Sequence, residues 1–462
     1  MEIKLFGAAK TVTGSCYSIV TNKDKILIDC GMFQGGKKQI KLNYDDFSFN
    51  PKKYSALLLT HAHLDHCGRV AKLVKDGFRG KIYSTSATKD LAFVIMMDSA
   101  KISSHDVALE NKRRARKGLP PRKPIYTEND VRNAMELFIV INYGEVIEVN
   151  DNITAKFYDA GHILGSGSIQ LEVNEKDKKT TIVFSGDLGQ YDTPIVRNPE
   201  SIKEADYVFI ESTYGDRLHE PVRERKQELL RVIHDTYKRG GVLMIPSFAI
   251  ERAQELLYDI NGFAERGLMP KIKVYIDSPM AINATEVFKK HPECYDKELK
   301  SILESGDNPF SFPGLTYTRT VQESIGINKV KEPCIIIAGS GMCTGGRIKH
   351  HIKHHISNPK NTILFVGYQV PGTLGYYIKK GEKRVRLLGT EVDVNAKVES
   401  IESFSAHADY KGLLTWLMSF SPKPKKAFIV HGNEKSIISF SKKVEKQGIK
   451  TYIPSMEEKI VM

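Results

Sequence analysis

The chain has 462 residues, 41% hydrophobic and 27% charged, more than one core usually serves, so two domains of an ordinary soluble protein are expected. No apolar run approaches the roughly 20 residues a membrane helix needs, which argues against membrane-spanning classes. Lysine and arginine exceed acidic residues by 68 to 55, a formal charge of +13, which favours a polyanionic partner such as nucleic acid without identifying one.

From the N-terminus, "MEIKLFGAAK" lacks the basic, then apolar, then small-residue order of a secretory signal. The first two hundred residues alternate short β-rich runs with turn signals: "CYSIVT", "KILIDC", "ALLLTH", "KIYST", "ITAKFYDA", "SIQLEV" and "TTIVFSGD". They read as antiparallel strands with a few helices, among them "GRVAKLVKDGF". Residues 98–148 read as a polar insertion, since "NKRRARKGLPPRK" is too charged and proline-broken for core. From about 217 to 390, helical runs ("RERKQELLRVIHDTYKRGG", "AIERAQELLYDINGFAERG") alternate with apolar strands ("GVLMIPSF", "KVYID", "CIIIAGS", "NTILFVGY"). That alternation predicts a parallel sheet flanked by helices. The last seventy residues return to short strands. Six cysteines, at 16, 30, 67, 294, 334 and 343, form no C-x-x-C pair, so neither a disulfide framework nor a structural zinc site is expected, and the setting reads as reducing and cytoplasmic.

The stretch "LLLTHAHLDHCG" sets three histidines and an aspartate directly behind an apolar strand. On extended backbone, side chains two residues apart share a face, so His61 and His63 can converge on one ion. The turn into the next helix re-aims Asp65 and His66 toward a neighbouring point. Imidazole with carboxylate suits zinc, or manganese where oxygen predominates. Further ligands must come from elsewhere, and His162, Asp187 and His431 each stand at the exit of an apolar strand. Singly, such a residue is more often a cap or turn former. The H-x-H-x-D-H cluster has no comparable bland explanation.

These residues resemble the signature of the metallo-β-lactamase superfamily. "LIDCG" (Asp29), "AGHILGSGS" (His162) and "FSGDLG" (Asp187) are similar to its other motifs. "VFIESTYGD" (Glu211), "SFSAHADY" (His407) and "IVHGNE" (His431) resemble motifs A, B and C of its β-CASP branch, as do "IPSFAIERAQELL", "DSPMA", "GSGMCTGGR" and "GYQVPGTLG". The likeness is to compact bacterial RNA-cleaving metallonucleases related to the cleavage-and-polyadenylation endonuclease. It implies an α/β fold: an αββα sandwich from residues 1–215 and 401–462, with an α/β β-CASP domain inserted at 216–400. It implies two Zn2+ ions, with Mn2+ as the alternative. His61, His63, His162 and Asp187 would hold one, and Asp65, His66, Asp187 and His431 the other, with Asp29 orienting a ligand or water.

The function so implied is hydrolysis of RNA by a two-metal hydroxide mechanism. His407 would be the general acid and Glu211 its orienting partner, with Asp29 and Asp65 completing the catalytic set. A histidine at motif C resembles the RNA-cleaving members, so single-stranded RNA is the expected partner. The compact length favours an endonuclease over a 5′–3′ exonuclease. The sequence leaves the oligomeric state open, a homodimer included. Rival readings are a thioesterase or lactamase on the same metal fold, a DNA nuclease, and a non-catalytic RNA-binding subunit. The inserted domain argues against the first, and the full ligand set against the last.

Other features read two ways. Ser340, Gly341 and Arg347 lie in a glycine loop between strand and helix, which suits either an RNA-backbone contact or a tight turn. His350, His351, His354 and His355 lack a carboxylate companion and read as helix packing. The basic run 112–123 reads as a solvated loop, with RNA-backbone contact the sharper option. Trp416 reads as core. Asn433 and Tyr376 replace the glutamate and arginine more usual in the family.

Overall fold

The computed structural model describes every residue except 176–177, 220–221 and 402–403. The chain divides into two units. The first comprises Met1–Tyr191, Asn198–Leu218 and His407–Met462, and the second Asp192–Arg197 and His219–Ala406. Sequence reading put the junctions near 216 and 400.

The first unit is built on two seven-stranded sheets. One runs in the order Lys459–Val461, Glu2–Leu5, Tyr17–Val20, Lys25–Ile28, Ala56–Leu58, Lys81–Ser84 and Phe138–Val140. It is antiparallel as far as Lys25–Ile28 and parallel beyond. The expectation of antiparallel strands throughout therefore fails here. Helices Val70–Lys75, Ser86–Ala115 and Glu128–Met135 intervene between the later strands, and such a crossover brings the chain back in its original direction. The other sheet runs Thr451–Tyr452, Lys426–Ile429, Tyr207–Ile210, Lys178–Phe184, Gly167–Glu175, Ile153–Asp159 and Val146–Asn150. Its first four strands are mutually parallel.

Alternation along the strands fills the space between the sheets. In Ile153–Asp159 every second residue is buried, and Ile3, Ile19, Ile26 and Leu58 join Phe157, Leu171, Phe184 and Phe209 in one cluster. Phe184, Phe209 and Phe428, on adjacent strands, stack with centroids 4.7 and 4.4 Å apart. Each such ring contributes roughly 1.5–3 kcal/mol by burial. Helices Tyr410–Leu417 and Glu434–Lys446 cover the outer face of the second sheet through Leu413, Trp416, Ile437 and Phe440. The sequence pattern gives short strands in this C-terminal stretch and a helical setting for Trp416, and the structure adds the second helix, Glu434–Lys446. Trp416 is core, its indole N–H donating to Glu200 O at 3.0 Å.

Residues 98–148 are more regular than an insertion of their composition suggests. A 30-residue helix, Ser86–Ala115, runs through the first part. Its buried side chains extend only to Val107, and its end is carried by good helix formers whose backbone hydrogen bonds need no partner.

The second unit holds a six-stranded, all-parallel sheet in the order Leu315–Tyr317, Lys273–Ile276, Cys334–Ala338, Val242–Pro246, Thr362–Phe365 and Lys397–Ser400. Helices Val222–Lys238, Arg252–Glu265, Pro279–Lys290 and Ile348–His355 alternate with the strands. Among the described residues no helix is long and apolar enough to cross a membrane.

Candidate metal centre

In the first unit, the carboxyl ends of Lys25–Ile28 and Ala56–Leu58 in one sheet lead directly to Asp29 and to His61 and His63. The ends of Ile153–Asp159, Lys178–Phe184, Tyr207–Ile210 and Lys426–Ile429 in the other lead to His162, Asp187, Glu211 and His431. Parallel strands bring their carboxyl ends to one edge, where sheet proteins assemble sites.

Two groups of ligand atoms converge there. His61 Nε2, His63 Nδ1, His162 Nε2 and Asp187 Oδ2 form the first. Neighbouring atoms in it lie from 3.0 Å (His162 to His63) to 3.6 Å (His162 to Asp187) apart. A tetrahedral ion with bonds of about 2.0–2.1 Å has ligand–ligand edges of roughly 3.3 Å. In the second group, His66 Nε2 lies 3.2 Å from His431 Nε2 and 3.3 Å from Asp187 Oδ2, and His431 Nε2 lies 3.5 Å from Asp65 Oδ2. Asp187 Oδ2 thus touches both groups, while its Oδ1 is buried with no hydrogen-bond partner among the described residues.

The electrostatics point the same way. Burial, with the neighbouring His66, pushes His61 down to about 3, and burial pushes His63 to about 4. Burial and His407 hold His162 well below the ordinary range. All three are neutral imidazoles at pH 7, with nitrogens crowded together. Burial opposes ionisation of Asp187, yet His431 and His66 hold its carboxyl well down. A buried cluster of imidazole nitrogens around an ionised carboxylate, whose Oδ1 meets His431 Nδ1 at 3.4 Å without forming a hydrogen bond, is costly without a cation and suits one. The donor set fits a divalent metal.

Asp29 and Thr60 set the tautomers. Asp29 Oδ2 accepts from His66 Nδ1 at 2.7 Å, and Asp29 accepts the Thr60 hydroxyl at 2.9 Å and the Thr60 N–H at 2.8 Å. With its hydrogen spent on Asp29, Thr60 Oγ1 accepts from His61 Nδ1 at 3.0 Å. Both imidazoles therefore carry hydrogen on Nδ1 and turn Nε2 toward the ligand groups, as ligand histidines commonly do. Burial lowers His66, but Asp187 and then Asp29 override it and hold the group well above the ordinary range, so a bound cation displaces its Nε2 proton. Sequence reasoning missed Thr60, although its place between strand and first histidine was a usable signal. It also missed Thr85 and Thr88. At the head of the long helix, these donate to Gly165 O at 2.7 and 2.8 Å and pin the His162 loop. No local signal marks them.

His407 Nδ1 lies 3.1 Å from Glu211 Oε1, and Glu211 is itself held by the N–H groups of Leu188 and Thr213. Burial lowers His407, but Glu211 and then Asp187 override it and raise the group to about 9. Its side chain is 21% exposed, against 0% for Glu211. Ser403, which opens the "SFSAHADY" stretch, lies outside the described residues.

Ser340, Gly341 and Arg347 sit in the second unit, after strand Cys334–Ala338. Ser340 Oγ closes the loop by accepting from Gly345 N at 3.1 Å. The Arg347 guanidinium is turned inward, donating to Asp277 Oδ1, Thr318 O and Arg319 O, which makes it an anchor of the loop. His351 bonds Asp277 and Asn328. None of the four helix histidines joins a ligand group among the described residues. Asn433 caps helix Glu434–Lys446 by accepting from Ser436 N.

Family models match three stretches: "Metallo-beta-lactamase superfamily" at residues 9–232, "Beta-Casp domain" at 253–378, and "Zn-dependent metallo-hydrolase RNA specificity domain" at 391–454. The chain is 37% identical over 448 residues to ribonuclease TTHA0252 of Thermus thermophilus, with 97% of each chain covered. It is 34% identical over 456 residues to an RNase J-like protein of Methanocaldococcus jannaschii, covering 98% of this chain and 97% of that one. Transcription termination factor FttA of the same organism is 32% identical over 465 residues, covering 98% of this chain and 70% of FttA. A solved structure of a protein of unknown function from Enterococcus faecalis V583 aligns with TM-score 0.55 at 14% identity, covering 100% of this chain and 99% of that one, a likeness of fold alone.

Proposed function

This chain belongs to the β-CASP branch of the metallo-β-lactamase superfamily, and from that premise we infer a metal-dependent ribonuclease that hydrolyses phosphodiester bonds. The observation that carries the reading is the position of Asp187 Oδ2, 3.4 Å from His61 Nε2 of one ligand group and 3.3 Å from His66 Nε2 of the other, beside a paired histidine and glutamate.

In this proposal two Zn2+ ions are held, one by His61, His63, His162 and Asp187, the other by Asp65, His66, Asp187 and His431. When bound, such ions neutralise charge on the phosphodiester and acidify a water. The remaining tasks fall to side chains. Asp29 and Thr60 keep His66 and His61 in the ligand tautomer. Glu211 fixes His407 through Nδ1, so Nε2 carries the proton delivered to the departing 3′ oxygen. The products bear a 5′ phosphate and a 3′ hydroxyl. The proposed substrate is single-stranded RNA, cut internally.

RNAs labelled at either end, a circular RNA, matched DNA and a thioester test this directly. Opening of the circle and 5′-phosphorylated fragments are expected, and His407→Ala should lower kcat by roughly 10²–10⁴ with metal content unchanged. Equal or faster turnover of DNA or thioester sinks the assignment to RNA, and loss of metal in His407→Ala sinks the role of the acid.

A further inference from the structure

The long helix of the first unit ends in an arm that the metal centre does not use. Residues 101–123 hold eight basic and two acidic side chains, a net +6 within a chain of +13. Nearly half the charge surplus thus sits in one short segment. The arm is ordered. The Arg114 Nε donates to Pro120 O at 2.7 Å, and Asn111 clasps Arg122 from both sides, accepting from its N–H at 2.8 Å and donating to its C=O at 2.9 Å. Glu110 pairs with Arg122 at 3.1 Å. Two arginines are thereby spent on holding the loop against the helix.

Of the other six, Lys101 lies near Asp98, and five are not spent. Lys112, Arg113, Arg116, Lys117 and Lys123 are exposed, and no hydrogen bond or ion pair involves their side chains among the described residues. Crowding like charges without counter-charges raises the free energy of the unbound protein. A run kept only for solubility also has no need of a clasped backbone, whereas a pre-ordered surface loses less entropy on binding. The chemistry that relieves five such cations within one short segment is a row of phosphates.

Position gives the arm its function. Thr88 touches the His162 loop through Gly165 O, and from there the helix runs about 40 Å to Ala115 at 1.5 Å per residue. A stacked strand with a phosphate every ~3.4 Å spans that distance in about a dozen nucleotides. We propose that this arm is a second, sequence-independent site for the RNA backbone, which holds long substrates a dozen nucleotides from the bond being cut. The proposal rests on the ribonuclease reading and adds a length requirement to it.

The test compares the full, metal-loaded chain with a variant carrying K112Q, R113Q, R116Q, K117Q and K123Q, both in the slow His407→Ala background. Affinity for a 30-nucleotide and an 8-nucleotide RNA is measured between 50 and 200 mM salt. For the longer RNA the variant should bind at least about tenfold more weakly, with a salt slope smaller by up to about 3.5, or 0.7 per lost contact. Binding of the 8-mer should be unchanged, which also attests to the fold. Unchanged affinity for the 30-mer overturns the proposal and leaves the arm to a protein partner. An equal loss on both RNAs overturns it too, by placing the effect at the centre. Should the chain with His407 intact cleave neither RNA, the ribonuclease reading fails, a result separate from either.

Discussion

Asp29 reaches the candidate centre through intermediaries: one oxygen holds His66, and both meet the hydroxyl of Thr60, which in turn holds His61. A single carboxylate so fixes one histidine of each ligand group. Glu211 stands to His407 in the same relation, and here the sign of the electrostatics yields a measurement. Against the lowering effect of burial, Glu211 and Asp187 raise His407 to about 9. A general acid works below its pKa, so kcat should hold to alkaline pH and fall as pH rises through that value, which bound cations pull downward. Glu211→Gln removes the negative charge but keeps the shape. It should move the falling limb of the kcat–pH profile to lower pH. An unmoved limb would show that Glu211 does not set the acid.

The ligands share an edge because parallel strands share their carboxyl ends, and the turns leaving those ends are tight. Asp29 and His431 lie at φ +58° and +46°, a left-handed conformation that costs of order 1–3 kcal/mol outside glycine and persists only where its surroundings enforce it. Gly31 shows how little room the turn after Lys25–Ile28 has. A Cβ there would lie 1.5 Å from Asp65 O, in the segment that carries Asp65 and His66. Gly31→Ala must therefore displace that segment. The expected result is lost metal content, together with overpacking of about 1–3 kcal/mol, read by elemental analysis and by a thermal midpoint several degrees lower. Full metal content at an unchanged midpoint would mean the turn yields elsewhere.

Across the whole molecule, the two units have separate cores, and among the described residues every candidate ligand belongs to the first. Metal that binds only the folded state stabilises by mass action, about 4 kcal/mol at a thousandfold excess over Kd. At roughly 2–4 °C per kcal/mol for a unit of this size, chelation should lower one calorimetric transition by on the order of 10 °C. The transition of the second unit should stay in place. If chelation moves neither transition, the centre does not couple to folding.

The features legible in the sequence are those that local physics produces. Alternating burial in "ITAKFYDA", the exchange of helix and strand over most of 217–390, and two histidines on one face of "THAH" all follow from backbone periodicity, which a neighbouring chain does not alter. Family resemblance then pointed to distant residues that periodicity alone could not connect. Other properties depended on which distant segments meet. The parallel direction of Ala56–Leu58 depends on the helices between strands, and the role of Thr85 and Thr88 on a carbonyl at Gly165. Arg347, whose glycine loop suits either a phosphate contact or a tight turn, has its guanidinium drawn inward by Asp277 and by the carbonyls of Thr318 and Arg319. A side chain's chemistry is written in its residue type, but where its hydrogen bonds go is decided by what folding places beside it.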